Sequence, residues 1–283
     1  MTVTLATYNT ASYSDYLAIH KLDKKKFSED TRNEMGKKVI ALLKNYGAEI
    51  FALQESWDAL DHWLDPKEYH WIGRKSGEAI VWNPKRFTPL AGSLQSGDMF
   101  IALDLLDQQT NKVVRIASMH IIGYNLEALQ SKDHPQHQDT LHTLQKETEP
   151  KLSLILKTLT AENSYNLCLI GSDTNSDPSI YTGIHECFQN QGFSYTNAQA
   201  STNYNPFSQK LPKRNLDFIF TSEKASTYLP LKELKLGDPQ NPSDHLPLIQ
   251  TIGLPSSILK TLTSYFTSHK PLKKVNKQFI SNL

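Results

Sequence analysis

Apolar residues occur along this chain mainly in short runs separated by polar, turn-forming stretches. Runs of this length, either apolar throughout or alternating with polar residues, are typical of β-strands. One of them, Leu167 to Ile170, ends abruptly in Gly171 and a series of turn-formers that extends to Pro178. Strands are predicted in the same way at residues 2–8, 48–53, 68–72, 79–82, 99–106, 113–119, 216–220, 231–236 and 248–252.

Apolar residues at helical spacing predict helices between these strands. The first is capped by Asp30 or Thr31, and the predicted helices cover residues 30–45, 57–64, 138–159 and 180–191. The stretches 10–29, 126–136 and 195–213 are polar and are interpreted as loops. Many strands with a few helices between them predict an α/β fold in which two packed sheets are covered by helices.

Polar side chains lie at the ends of many of these strands. Asp173 and Asn175 follow the strand at 167–170 and share one side of the extended backbone, which suits a site where Asp173 takes a proton and Asn175 steadies an anion. The alternative is an Asx-turn without chemistry. Asp217 lies within an apolar strand, where a carboxylate needs a partner. The full set is Asn9, Glu55, His120, Asp173, Asn175, Asp217, Asp244 and His245.

The oxygen-rich character of this set predicts a hard divalent cation, Mg²⁺ or Mn²⁺. His134, His137 and His142 do not have the spacing of a zinc site and are interpreted as part of a solvated loop and helix start. A hard cation with an acid, an amide and a histidine can hydrolyse a phosphate ester, because the metal polarises the phosphoryl oxygens while a carboxylate activates water.

Composition adds little to this picture. Hydrophobic residues make up 39% of the 283 residues and charged residues 21%, as in an ordinary globular protein. The net charge of +1 favours neither a nucleic acid nor an acidic membrane as partner. Two cysteines, Cys168 and Cys187, predict no disulfide framework. Because neither a leader sequence nor an apolar run of about 20 residues is visible, we expect a soluble protein, cytoplasmic or exported without a conventional signal peptide.

The order and local sequence of these polar groups resemble the endonuclease/exonuclease/phosphatase superfamily over residues 1–252. The resemblance implies a four-layer α-β-β-α sandwich, deoxyribonuclease-like, with two central, mostly antiparallel sheets and the site at one edge. Beyond the resemblance, an apolar stripe followed by lysines predicts a C-terminal helix with a basic tail, 255–283, after a catalytic domain, 1–254. The motifs that carry the resemblance are Tyr8-Asn9, Leu53-Gln54-Glu55, Met119-His120, Asp173-Thr174-Asn175, Leu216-Asp217-Phe218-Ile219 and Ser243-Asp244-His245-Leu246-Pro247.

The same resemblance implies a role for each residue. Glu55 is expected to be the principal ligand of the cation, with Asn9 beside it and Asp244 at or near it. Asp173 is expected to orient or deprotonate the attacking water, and Asn175 to hold the developing phosphoryl charge.

The histidines are expected to contact the phosphate. The resemblance implies that Asp217 orients His245 towards the scissile phosphate and that His120 is a further phosphate contact. Arg214, Tyr124 and Asn125 are expected to bind substrate.

The chain departs from the superfamily pattern at several positions. Ser172 stands where glycine usually precedes the acidic motif, and Gly171 lies one residue earlier. Ser56-Trp57-Asp58 replaces the Thr-Lys of the abasic-site endonucleases, which argues against base-excision repair. The tryptophan-and-cysteine signature of the inositol polyphosphate 5-phosphatases is missing before Ser243.

Three hypotheses follow for the function. The first is a divalent-metal-dependent phosphodiesterase or phosphatase that acts on a nucleic acid or nucleotide, with Lys210, Lys213 and Arg214 available to the phosphate backbone. The second keeps the chemistry but acts on a phospholipid or phosphoinositide, with the amphipathic segment after Pro255 contacting the membrane. The third is a catalytically silent binding protein with the same fold. A monomer is expected, and no protein partner is predicted.

Overall fold

Two seven-stranded sheets form the centre of the protein. The computed structural model describes residues 1–19, 21, 27–56, 60–161, 164–195, 201–205, 208, 213–223, 227–229, 234–235, 241–254 and 278–280. Strands and helices are numbered in chain order. In spatial order the first sheet contains β14 (Thr227–Leu229), β15 (Leu248–Gly253), β1 (Thr2–Asn9), β2 (Ile50–Gln54), β4 (Ala79–Trp82), β3 (His70–Arg74) and β16 (Gln278–Ile280).

The second sheet contains, in spatial order, β10 (Ser194–Tyr195), β13 (Asp217–Thr221), β9 (Leu167–Asp173), β8 (Lys112–His120), β7 (Phe100–Asp107) and β5 (Phe87–Pro89), and β6 (Gln95–Gly97) also pairs with β7. A separate two-stranded ribbon joins β11 (Asn203–Tyr204) to β12 (Lys213–Arg214). The pairs β1/β2, β8/β9 and β3/β16 are parallel. The other pairs of the two large sheets that the structure describes are antiparallel.

Helices cover both outer faces. They are α1 (Tyr13–Ile19), α2 (Glu29–Asn45), α3 (Leu60–Trp63), α4 (Leu126–Leu129), α5 (His137–Thr143), α6 (Glu149–Thr160) and α7 (Gly183–Asn190). Ser28 caps α2 by accepting a hydrogen bond from the amide of Thr31, so this helix begins one residue before its predicted start. The helix predicted at 138–159 is present as α5 and α6, joined by a π-helical turn over Leu144–Thr148.

Three apolar layers hold these elements together. One lies between the sheets, a second packs α2 and α3 on the first sheet, and a third packs α6 and α7 on the second. The predicted four-layer α-β-β-α sandwich is therefore confirmed. Alternation along β9 shows how one strand serves two layers, because Leu167 and Leu169 face the other sheet while Cys168 and Ile170 face the helices.

The layer between the sheets changes from apolar to polar at one end. On β9 the inward positions after Leu169 are Gly171 and Asp173, and Gln54 ends the inward face of β2. Gln54 Nε2 donates to the carbonyl of Gly171, 3.2 Å away on the opposite sheet, and lies 3.1 Å from Ser118 Oγ. The sheets are thus joined by hydrogen bonds at the end where the predicted site lies.

The structure differs from the sequence prediction in several local elements. The polar stretch 10–29 contains α1, which packs through the fully buried Tyr16, and the stretch 126–136 begins with α4. The short strands β5 and β6 were not predicted. The predicted strand 231–236 lies mostly outside the described residues.

Most of the predicted C-terminal helix and basic tail also lies outside the described residues, since only Gln278–Ile280 is described after residue 254. These three residues form β16, which pairs with β3. Among the described residues, no helix is long and apolar enough to span a membrane.

We expect Gly171→Ala to destabilise the protein, because the two sheets meet at this residue. A Cβ here would lie 2.5 Å from Ala52 Cβ and 2.7 Å from Thr7 Cβ. Overpacking of this kind costs about 1–3 kcal/mol in the free energy of unfolding, to be measured by urea denaturation. Gly253→Ala is the matched control, since nothing lies within 4 Å of its added Cβ. Equal losses in the two variants would refute the steric explanation.

We expect His185 on α7 to make the protein less stable in acid. It is 2% exposed, and neither ring nitrogen has a hydrogen-bond partner among the described residues. Burial lowers its pKa to about 4, although Asp177 acts in the opposite direction. The unfolded chain, with an ordinary pKa of about 6.5, then binds the proton more tightly, so stability falls as the pH drops from about 6.5 to about 4.

The measurement is urea unfolding at pH 7 and at pH 4 for the natural chain and for His185→Leu. Over this range the natural chain should lose about 3 kcal/mol more than the variant, because leucine takes up no proton. Identical pH dependence in both proteins would show that His185 is not the group responsible.

Candidate active site

The first sheet brings Asn9 and Glu55 together. Strands β1 and β2 are parallel with Asn9 beside Gln54, so both strands end at the same edge and Glu55 is the next residue. Asn9 Nδ2 donates to Glu55 Oε1 at 3.0 Å and to Asp173 Oδ2 at 2.8 Å. Asn9 is 1% exposed, and its Oδ1 accepts from the amide of Ala11. One buried amide therefore links carboxylates that belong to different sheets.

The second sheet supplies three more groups by the same principle. Strands β8 and β9 are parallel with His120 beside Asp173, and the antiparallel strand β13 begins with Asp217 beside Asp173. His120 Nε2 lies 3.6 Å from Glu55 Oε1 and 3.7 Å from Asp173 Oδ2. The site is consequently assembled across the gap between the sheets, and Asp173 lies at its centre.

The loop 241–245 adds Asp244 and His245 to the site and is anchored on β1. Tyr8 OH donates to Asn241 Oδ1 at 2.7 Å, and Ser243 Oγ donates to the carbonyl of Asn9 at 2.7 Å. The loop holds His245 with Nδ1 2.8 Å from Asp217 Oδ2 and Nε2 3.8 Å from Asp173 Oδ2. The buried Asp217 thus has the partner that its position in an apolar strand required.

Asn175 is held in a turn that also shapes the site. Its backbone N–H donates to Asp173 Oδ1 at 2.9 Å. This hydrogen bond forms the Asx-turn that was the alternative to a catalytic role for these residues. The Nδ2 of Asn175 lies 2.8 Å from the carbonyl of Ile121 and 3.2 Å from His120 Nε2. Asn175 and Glu55 both have φ of 49°, a conformation that non-glycine residues rarely adopt. The Asx-turn and a catalytic site are therefore compatible, because the hydrogen bond of the turn orients the Asp173 carboxylate.

Burial and neighbouring charge shift the pKa values of several of these groups. Burial raises the pKa of Glu55, against the hydrogen bond from Asn9 and the nearby histidines. Burial likewise raises the pKa of Asp217 to about 6, although His245 opposes this. Burial acts to lower the pKa of His245, but Asp217, Asp244 and Asp173 outweigh it and hold that pKa well above the ordinary value. Such shifts are common where titratable groups are gathered for chemistry.

A cavity of about 310 Å³ opens over these residues. Its lining includes Glu55, Asp173, His245 and Arg214. Helix α1, which sequence analysis missed, contributes Ala11 just before its start and, within it, Asp15 and Ala18.

Two predicted substrate-binding residues are placed elsewhere. Neither Tyr124 nor Asn125 lines the cavity. Asn125 is exposed and caps α4 by accepting from the amide of Ala128, while Tyr124 packs against the apolar layer beneath α6 and α7. Lys213 is exposed on β12, and Lys210 lies outside the described residues.

Asn203 is a site residue that sequence analysis missed. It is 2% exposed, lines the cavity, and contacts Arg214, Asp244 and His245. It lies in the polar stretch 195–213, where nothing in the local pattern separates it from other asparagines.

The chemistry of the donor set fits a hard divalent cation. Ligand atoms of Glu55, His120 and Asp173 all lie within 4.8 Å of one another, as do those of Asp173, Asp217 and His245. Carboxylate oxygens dominate both groups, as Mg²⁺ and Mn²⁺ require. Asp244 belongs to neither group but lines the same cavity.

Similarity to known proteins is found among solved structures. No protein-family model and no curated protein matches the sequence. Solved structures do match. ANGEL2, a 2′,3′-cyclic phosphatase, is 17% identical with a TM-score of 0.59, over 89% of this chain and 95% of the other. A mannosyl-6-phosphatase from Bacteroides thetaiotaomicron is 16% identical with a TM-score of 0.58, over 89% and 100%.

A third match is TDP2 from D. rerio in complex with a single-stranded DNA product, 14% identical with a TM-score of 0.58, over 88% of this chain and 98% of the other. Family proteins described as endonuclease/exonuclease/phosphatase are also among the matches. At these identities the likeness establishes the fold. The resemblance inferred from the motifs is confirmed at that level, since the chain has the endonuclease/exonuclease/phosphatase fold.

Proposed function

We propose that this protein hydrolyses phosphate esters with a divalent cation, Mg²⁺ or Mn²⁺, and that a nucleic acid or nucleotide is its first-choice substrate. The observation that carries the proposal is the meeting of Glu55, His120 and Asp173 within 4.8 Å, although they come from different sheets. The buried Asp217 and His245 pair lies beside them. A purely structural role for so many buried polar groups is disfavoured, because burying them costs free energy unless each is satisfied.

Glu55 and Asp244 would hold the cation, which would supply Lewis-acid polarisation of the phosphoryl oxygens. Asn9 presents Nδ2 to the carboxylates, so it would act as a ligand only if its amide turned to present Oδ1. In the observed orientation, Asn9 positions Glu55 and Asp173 by hydrogen bonding.

Asp173 is the candidate general base for the attacking water. The side-chain amide of Asn9 donates to Asp173 Oδ2, and the backbone N–H of Asn175 donates to Asp173 Oδ1. These two hydrogen bonds fix the direction of the carboxylate. Asn175 and His120 would contact the phosphoryl oxygens, and His245, oriented by Asp217, would contact the scissile phosphate.

The substrate class is supported by Arg214 on the cavity wall, since a guanidinium binds phosphate well. Solved structures of this fold include a 2′,3′-cyclic phosphatase, TDP2 with a single-stranded DNA product and a mannosyl-6-phosphatase. One fold serving several substrates is common, so the choice must be made by assay. The lipid hypothesis depends on the segment after residue 254, most of which is not described.

The activity test is hydrolysis with Mg²⁺ of single-stranded and duplex DNA, RNA, a 5′-phosphotyrosyl oligonucleotide, sphingomyelin and phosphoinositides. We expect oligonucleotide cleavage that chelation abolishes, and a loss of about 100- to 10,000-fold in kcat for Asp173→Asn, because the general base is removed. Asp98→Asn, an exposed acid paired with Lys151, is the matched control and should retain activity. Turnover of lipid alone would replace the nucleotide proposal, and no turnover of any ester would overturn hydrolysis.

The cation site has a separate test that needs no substrate. Calorimetric titration with Mn²⁺ should show binding to the natural chain and at least about tenfold weaker binding to Glu55→Gln, a change of about 1.4 kcal/mol. Glu34→Gln, which alters an exposed acid on α2, is the control. Equal affinity in Glu55→Gln and the natural chain would remove Glu55 from the ligand set.

A further inference from the structure

Arg32 is a completely buried cation on helix α2. Its Nη2 donates to the carbonyl of Thr10 at 2.8 Å and to the carbonyl of Ala11. Its Nε donates to the carbonyl of Pro242 at 3.3 Å. The first two carbonyls belong to the segment that follows β1, and the third belongs to the loop 241–245. One guanidinium therefore joins two backbone segments that lead into the site.

Trp63 on α3 holds this guanidinium in place. Arg32 Cζ lies 5.1 Å from the centroid of the Trp63 ring, within the range of a cation–π interaction. The ring is itself fixed, because its Nε1 donates to Asn33 Oδ1 at 3.0 Å. It also lies so close to Gly36 that a Cβ there would be 2.1 Å from ring atoms. Helices α2 and α3 thus present Arg32 in one position.

Ala11 connects Arg32 to the side-chain amide of Asn9. Its φ is 51°, a conformation that non-glycine residues rarely adopt, and the hydrogen bond from Arg32 to its carbonyl supports it. In this conformation the backbone N–H of Ala11 donates to Asn9 Oδ1 at 2.9 Å. Because Oδ1 accepts there, the amide presents its donor, Nδ2, to the carboxylates of Glu55 and Asp173. The Ala11 peptide therefore decides which end of Asn9 faces the carboxylates.

We propose that Arg32 is a positioning residue, which holds the Ala11 peptide so that Asn9 keeps Nδ2 towards Glu55 and Asp173. Arg32 does not line the cavity, so it acts through Asn9 and not by contact with substrate. Its importance for a bound cation rests on the function proposed above. The orientation of the Asn9 amide does not, and it can be tested separately.

The first test is hydrogen exchange at the Ala11 amide, followed by NMR on the full chain without added metal. The proposal expects slow exchange, although Ala11 lies outside the strands. In Arg32→Lys the exchange should be at least about tenfold faster, as for the loss of one hydrogen bond. The reason is that an ammonium donates from one nitrogen, whereas a guanidinium donates from separate nitrogens in a rigid plane. Free exchange in the natural chain overturns the proposal, whether or not the protein proves to be a hydrolase.

Arg115→Lys is the matched control, because it alters a second buried guanidinium on the other sheet. Arg115 is 1% exposed, binds Asp104, and its Cζ lies 4.6 Å from the centroid of the Tyr165 ring. Both lysine variants should lose stability to urea, but only Arg32→Lys should accelerate exchange at Ala11. Equal acceleration in both would reduce Arg32 to a contribution to global stability and refute the proposal.

Arg32→Met is a second variant that keeps a long side chain beside Trp63 but donates no hydrogen bond. The proposal expects the same faster exchange at Ala11 as in Arg32→Lys, so the test does not depend on the folding of one variant. Unchanged exchange in a folded Arg32→Met would overturn the proposal.

Titration with Mn²⁺ measures the consequence at the cation site. We expect binding about 10- to 100-fold weaker in Arg32→Lys, the loss typical when a group that supports a metal ligand is removed. Arg115→Lys should bind as the natural chain does. Unchanged affinity in Arg32→Lys would refute the positioning role. No binding to the natural chain would instead refute the cation site, and exchange at Ala11 would still decide the orientation of Asn9.

A double-mutant cycle tests the route through Asn9. Asn9→Ala removes the amide that the Ala11 peptide orients, so Arg32→Lys should weaken Mn²⁺ binding little further in that background. Additive losses would show that Arg32 acts on the site without Asn9 and would contradict the proposal.

Discussion

The close approach of the two sheets at Gly171 is the constraint on which the site depends. A side chain at this position would meet Ala52 and Thr7 of the opposite sheet, so glycine alone allows the sheets to come together here. The hydrogen bond from Gln54 to the Gly171 carbonyl then replaces apolar packing between the layers. Two residues further on, Asp173 reaches Asn9 across the same gap. A wider gap would separate these groups beyond hydrogen-bond range.

Gly171 also explains the departure from the superfamily motif. Inward and outward positions alternate along β9, so Gly171 faces the other sheet together with Asp173, whereas Ser172 faces the helices. The close contact between the layers is therefore made one position before Ser172, on the face that carries the carboxylate. The unusual serine does not alter the inward face.

Strand alternation made much of the site predictable, because it is a local property of the sequence. Asn9, Glu55 and Asp173 each lie within three residues of the end of an apolar run, and parallel pairing brings such strand ends to one edge. Asn203 has no local signal of this kind, since its place depends on pairing with segments 11 and 42 residues away. Asn125 has a local role instead, because its side chain caps α4 and does not line the cavity.

The position of β1 has a consequence for how the protein is made. This strand lies between β2 and β15, and Ser243 bonds back to Asn9 over a separation of 234 residues. During synthesis, β1 leaves the ribosome before β15 and keeps one hydrogen-bonding edge open until β15 has also left. An open edge is a template for pairing with other chains. The site therefore completes only after residues 241–245 have bonded back to β1, and until then the open edge of β1 can pair with other copies of the chain.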